Sequence, residues 1–199
     1  MPRLTPLQKA LWLVVIAAAA ASAALVLSQR PVTEETATAE AFSPEFALAD
    51  DSGQVRSSGE FRGKFLLVFF GFTNCPDICP TTLSEVAQVL DELGPDAAQV
   101  QPVFISVDPE RDRRLGLKSY TEAFHPAILG LAGDDAETAA AAKSFKIFFA
   151  REPDAAAPDG YTMSHSPALY LVGPEGDWLR QFTYGTPASD IVADLKARF

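Results

Sequence analysis

Residues 64–72 read KFLLVFFGF, and every side chain from Phe65 to Phe70 is apolar. A strand with one wet face alternates apolar and polar residues, so an unbroken run of this kind marks a strand covered on both faces. Such a strand needs helices above and below it, which confines the chain to α/β architectures. The remaining sequence supplies the parts. Further strands are predicted in FALAD from Phe46, at Gln101–Asp108, in KIFFA from Lys146, at Pro167–Val172 and in WLRQF from Trp178. Helices are predicted over Pro80–Leu93, Arg113–Phe124, Asp134–Lys143 and Pro187–Phe199. The expected fold is a central mixed sheet flanked by helices, with no internal repeat.

The chain has 199 residues, which suits one domain plus a short extra segment. Ala10–Leu27 is apolar apart from Ser22, and as a helix it would span ~27 Å, close to a bilayer's hydrocarbon core. Arg3 and Lys9 precede it, while Glu34 and Glu35 follow soon after, so the N-terminus is expected in the cytoplasm and the rest exported. The expected organisation is a cytoplasmic segment over 1–9, a transmembrane anchor over 10–29, a Thr/Ala/Glu/Pro-rich linker over 30–42 and a domain over 43–199. That makes a single-pass inner-membrane protein with its domain in the periplasm or an equivalent compartment. Ala21-Ser22-Ala23 offers a cleavage site, so a removed signal peptide is the alternative. The net charge of −10 argues against nucleic acid or an anionic surface as partner and leaves room for a cation.

Cys75 and Cys79, in FTNCPDICPTT, are the only cysteines. A disulfide closing so short a loop would contribute only ~2 kcal/mol of chain-entropy stabilisation, a weak structural reason for the pair. A redox or metal role is the better reading, and spacing alone does not choose between them. Pro80 disfavours helical backbone at Cys79 and suits the first position of the next helix, so the cysteines are expected on a loop. Cys79 would then sit at a helix N-terminus that favours its thiolate, with Cys75 the more exposed thiol. The loop leaves one strand end and Asp108 leaves another, and parallel strands would bring both to one edge.

The chain has two histidines, His125 and His165. Two cysteines with one imidazole suit low-coordinate copper, Cu(I) above all, better than a closed zinc site. His125 before Pro126 reads as incidental, whereas His165 enters an apolar strand and is the candidate ligand.

In order, GFTNCPDICPTT, FISVDPERD, FHPAILGLAGDD and YTMSHSPALYLV, behind one N-terminal anchor, resemble the Sco (SenC-type) family of thioredoxin-fold copper proteins. The resemblance covers residues 43–199. It implies a thioredoxin-like fold, one copper ion per chain held by Cys75, Cys79 and His165, and a redox-active Cys75/Cys79 pair. It also implies a part in assembling the binuclear copper centre of cytochrome c oxidase subunit II, as copper donor, as thiol reductant, or as both, with another copper or thiol client as the alternative partner. Asp108 matches a family acidic residue near the site, and its plain alternative is a helix-start role. Where many members carry an acid before the histidine, this chain has Ser164; Met163 reads as core. The alternative function is a copper-independent, membrane-anchored thiol-disulfide oxidoreductase. A peroxiredoxin is the weaker reading, since that family's threonine falls at Pro76. Thioredoxin relatives often carry a cis-proline opposite the redox loop, but a trans bond is the expectation before Pro167.

Overall fold

In the computed structural model residues 42–199 are described continuously, together with residues 5, 6, 12, 15–17, 19 and 22. The chain separates into two compact units, residues 1–40 and residues 41–199. Most of the expected anchor over 10–29 and all but Phe42 of the expected linker lie outside the described residues. Among the described residues no helix is long and apolar enough to cross a membrane.

The domain is built on a five-stranded mixed sheet. β3 (Phe65–Gly71) is its centre, flanked by β4 (Val100–Ser106) and β8 (Leu169–Val172), with β5 (Leu129–Leu131) and β9 (Trp178–Phe182) at the edges. β3 runs parallel to β4 and antiparallel to β8. A small hairpin, β1 (Ala47–Ala49) and β2 (Val55–Ser57), precedes the sheet, and a second, β6 (Phe149–Pro153) and β7 (Tyr161–His165), forms a sheet of its own. All seven residues of β3 are buried. Phe70 turns to one face, meeting Phe145 at 5.3 Å and Tyr170 at 6.4 Å between ring centroids, while Phe69 turns to the other and meets Phe104 at 6.1 Å. The continuous apolar run is thus explained by cover on both faces.

Five helices supply that cover: α1 (Ile78–Leu93), α2 (Pro109–Leu115), α3 (Leu117–Glu122), α4 (Asp135–Ser144) and α5 (Ala188–Lys196). α1 buries Leu83, Val86, Val89, Leu90 and Leu93 along one stripe at helical spacing, and α5 packs beside it with Ile191, Val192 and Leu195. Asp134 caps α4 reciprocally with Glu137, so that helix starts where its capping box dictates.

Two expectations need correction. The helix expected over Arg113–Phe124 is two helices, because Gly116 adopts φ 85°, ψ 78° and closes α2 in the left-handed region. KIFFA is not a strand from Lys146; the strand begins at Phe149, after Lys146 itself takes φ 56°. The bond before Pro167 is trans, since no cis peptide occurs among the described residues.

Gly116→Ala forces a side chain into the left-handed region, at a cost of roughly 1–2 kcal/mol. Urea denaturation should show a lower midpoint with an unchanged slope; an unchanged midpoint would mean that the break between α2 and α3 tolerates other backbone geometry.

Candidate metal centre

The parallel pairing of β3 with β4 brings their carboxyl ends together, with Gly71 opposite Ser106 and Val107 N–H donating to the Gly71 carbonyl at 2.8 Å. The loop Phe72–Asp77 leaves the first end and Val107–Asp108 the second. Because β8 runs antiparallel, its start lies at the same edge, with Leu169 opposite Phe69. His165, four residues earlier at the end of β7, is therefore delivered to the cysteine loop. Its Nε2 lies 3.6 Å from Cys79 Sγ. The ligand atoms of Cys75, Cys79 and His165 all lie within 4.8 Å of one another, and this is the group that could hold a metal ion among the described residues. One ion making bonds of about 2.0–2.3 Å could draw these atoms in with ångström-scale closure.

The cysteine loop departs from expectation at its helix. α1 begins at Ile78, with Asp77 in the capping position, so Cys79 lies inside the first turn and Pro80 is third in the helix. The first turn's N–H groups have no intrahelical partner, so a proline there removes no bond, and its steric effect on Cys79 is overridden. The thiolate preference is also reversed. Cys79 is wholly buried, while Cys75 is partly exposed and accepts the Cys79 N–H at 3.4 Å. Cys75, not Cys79, thus occupies the position in front of the helix where a negative charge is favoured. Hydrogen bonding from the Cys79 thiol, with the N–H groups of Asp77 and Cys79, outweighs burial and draws the Cys75 thiol down to about 4. The same bond to Cys75, together with burial, pushes Cys79 up. Both cysteines are free thiols.

His165 is held as firmly. Its Nδ1 lies 3.0 Å from the Ser166 carbonyl, which can only accept, so Nδ1 carries the proton and Nε2 faces the sulfurs. The rings of Phe69 and Phe72 stand edge-on to the imidazole, each at 5.9 Å. Met163 is half-buried and packs on the core. His125 is engaged elsewhere: its Nδ1 accepts from the Ala127 N–H at 3.1 Å and its Nε2 lies 4.0 Å from Asp91.

Asp108 is buried, and its carboxylate bonds to residues other than the three. Its carboxylate pairs with Arg111 Nε at 2.6 Å and accepts the Tyr161 hydroxyl at 2.9 Å. Asp108 also stands at the N-cap of α2, before Pro109, where its carbonyl accepts the Asp112 N–H at 3.0 Å while its side chain makes no capping bond, so the helix-start position and the carboxylate contacts coexist.

Two further residues shape the site and escaped the sequence reading. Asp112, fully buried, accepts from Thr73 N–H at 3.0 Å, Thr73 Oγ1 at 2.7 Å and Ser106 Oγ at 2.7 Å, tying the cysteine loop to the end of β4. Burial raises its carboxyl above the usual range, against those hydrogen bonds. The signal was available, since Asp112 closes the same VDPERD stretch as Asp108. Gly71 is the other: a Cβ there would lie 2.8 Å from Cys79 Sγ and 2.9 Å from Phe104. Only glycine lets the buried sulfur sit against the strand, and a lone glycine ending an apolar run gives no such warning.

A family model described as SCO1/SenC matches residues 34–199. The mitochondrial protein SCO2 homolog of Mus musculus is 38% identical over 170 residues, 84% of this chain and 66% of that protein, so this chain spans just under two thirds of its length. The structure of Bradyrhizobium japonicum ScoI with copper bound is 38% identical, with a TM-score of 0.72 and coverage of 80% of this chain and 100% of that one. BsSco, a member of the Sco family of cytochrome c oxidase assembly proteins with an identified disulfide switch, is 28% identical, with a TM-score of 0.61 and coverage of 79% and 94%.

Two outcomes follow from the asymmetry of the thiols and the packing of Gly71. In the reduced chain, iodoacetamide should label Cys75 at a rate already near its plateau at pH 6, with Cys79 protected until the fold opens; a rate climbing tenfold per unit through pH 7–8 would mark an ordinary thiol. Gly71→Ala should lower stability by about 1–3 kcal/mol through overpacking, read by thermal melting, and should displace the Cys79 sulfur.

Proposed function

This chain belongs to the SCO1/SenC family, and we propose that it binds one copper ion through Cys75, Cys79 and His165 and serves assembly of the binuclear copper centre of cytochrome c oxidase subunit II. The fold is the mixed, thioredoxin-like sheet of that family. The observation that carries the reading is the convergence of two sulfurs and one imidazole nitrogen within 4.8 Å, at the edge where loops from separate strands meet. Soft thiolates with a neutral imidazole select Cu(I), and the set is one ligand short of a structural zinc site. Asp108 supports the site from outside, through Arg111 and Tyr161. The Ala10–Leu27 run would anchor the domain to the inner membrane, on its exported side, next to a membrane-embedded client.

A second reading, thiol-disulfide exchange without copper, has its own support. Cys75 is a partly exposed thiol drawn down to about 4, with Cys79 behind it as a resolving thiol. The disulfide switch identified in BsSco is the comparable behaviour in a relative. The two activities are compatible, because thiols must be reduced before they take Cu(I).

The reduced full chain, mixed with Cu(I) and desalted, should retain about one copper per chain by metal analysis. Cys75→Ser or Cys79→Ser should abolish tight binding, and His165→Ala should weaken it with the fold intact. The oxidised chain should load none and recover on reduction. No retention by the reduced wild type would hand the lead to thiol exchange; equal loading of both redox forms would exclude the cysteines as ligands. A reporter fused after Phe199 should be active outside the cytoplasm and stay with the membrane fraction, whereas a soluble product starting near Ala24 would show a cleaved signal.

A further inference from the structure

The hairpin of β6 and β7 carries His165 but is no part of the main sheet. Its strand pairing is internal, with Phe149 opposite His165 and Pro153 opposite Tyr161. Something outside that pairing must therefore fix where the imidazole sits relative to the cysteine loop. Arg111, on α2, is 2% exposed and touches both sides. Its guanidinium lies 4.3 Å from the centroid of the Tyr161 ring, at the start of β7, and 5.8 Å from that of Phe72, at the start of the cysteine loop. Its NH1 donates to the Tyr161 carbonyl at 3.3 Å. Phe72 in turn stands edge-on to the His165 ring. Asp108 holds the wedge in place by pairing with Arg111 and accepting the Tyr161 hydroxyl, and the Arg151 guanidinium also stands over the Tyr161 ring, 4.1 Å from its centroid.

We propose that Arg111 is a positioning residue for the copper site, a wedge between Phe72 and Tyr161 that sets the reach of His165 Nε2 to the two sulfurs. The inference rests on the copper reading above and adds to it a residue that is not itself one of the three ligands. A planar cation suits the place, since a guanidinium can stack on an aromatic face while its edge donates to a carbonyl and a carboxylate. Lysine keeps the charge but loses the plane. Methionine keeps much of the length and loses both.

The test is a double-mutant cycle on Cu(I) affinity, measured on the reduced full chain by competition with a chromophoric Cu(I) chelator. Arg111→Met should weaken binding about 10- to 100-fold, the usual effect of losing an outer support of a metal ligand, and Arg111→Lys should fall between that and wild type. If Arg111 acts through His165, the double variant Arg111→Met/His165→Ala should bind no more weakly than His165→Ala alone. Fully additive losses in variants that melt as folded proteins would overturn the proposal, as would an Arg111→Met chain that binds like wild type while His165→Ala is weakened. Should Arg111→Met fail to fold, the cycle with Arg111→Lys decides by the same criterion. Failure of the copper reading itself is separate and visible first, as a wild-type chain that retains no Cu(I).

Discussion

The parallel pairing of β3 with β4 is the constraint on which the rest depends. Because Gly71 and Ser106 end opposite one another, two loops that start thirty-five residues apart in sequence leave the sheet side by side. The buried carboxylate of Asp112 can then take hydrogen bonds from Thr73 on one and Ser106 on the other, and the Asp108 N–H can close onto Ser106 Oγ at 3.1 Å. With β8 antiparallel on the other side of β3, the chain preceding Leu169 has no choice but to arrive at the same edge, and His165 arrives with it. Reversing β8 would put the imidazole at the opposite end of the sheet from the sulfurs, and reversing β4 would carry Asp108 and Asp112 away from the cysteine loop.

The two thiols differ because one lies under the helix and the other in front of it. Cys79 fills the small space over Gly71, where its environment is the apolar underside of α1 and where a charge would be costly. Cys75 lies one turn earlier, where the Cys79 N–H, which has no partner within the helix, donates to its sulfur. An ion entering from solvent would meet the thiolate first and would have to displace a proton to engage the second sulfur. The same order serves disulfide exchange, in which the outer thiolate attacks and the inner thiol resolves. This is why one geometry supports both readings of the function.

Much of the architecture was legible in the sequence, and the reasons are local. KFLLVFFGF could be nothing but a doubly covered strand, and α4 begins where Asp134 and Glu137 form their capping box. The errors also have local causes. The pattern from Arg113 to Phe124 keeps helical spacing through Gly116, and only the backbone reveals that this glycine is left-handed. Pro80 is third in its helix and not first, because the unpaired N–H groups of a first turn leave room for a proline whose steric effect on Cys79 alone would argue otherwise. At the site, Cys75, Cys79 and His165 announce themselves by residue type. Arg111, Asp112 and Gly71 do not, since their work is defined by what they touch across the fold: a pair of aromatic rings, a loop amide, a sulfur with no room for a methyl group.

The residue before the histidine shows how such contacts settle a question that residue type raises. Ser164 stands where the resemblance leads one to expect an acid, which could leave the imidazole without a carboxylate to orient it. In an extended strand, however, neighbours point to opposite faces, so residue 164 turns away from the face on which His165 meets the sulfurs. Ser164 Oγ instead donates to Glu152 Oε1 at 3.2 Å and lies 3.4 Å from the Ala150 carbonyl, both on the paired strand. An acid at this position would face Glu152, and like charges on neighbouring strands repel. The imidazole takes its orientation from the Ser166 carbonyl and from two aromatic edges, none of which requires a carboxylate. Serine at position 164 therefore relieves the hairpin of a repulsion while the backbone keeps Nε2 aimed at the sulfurs.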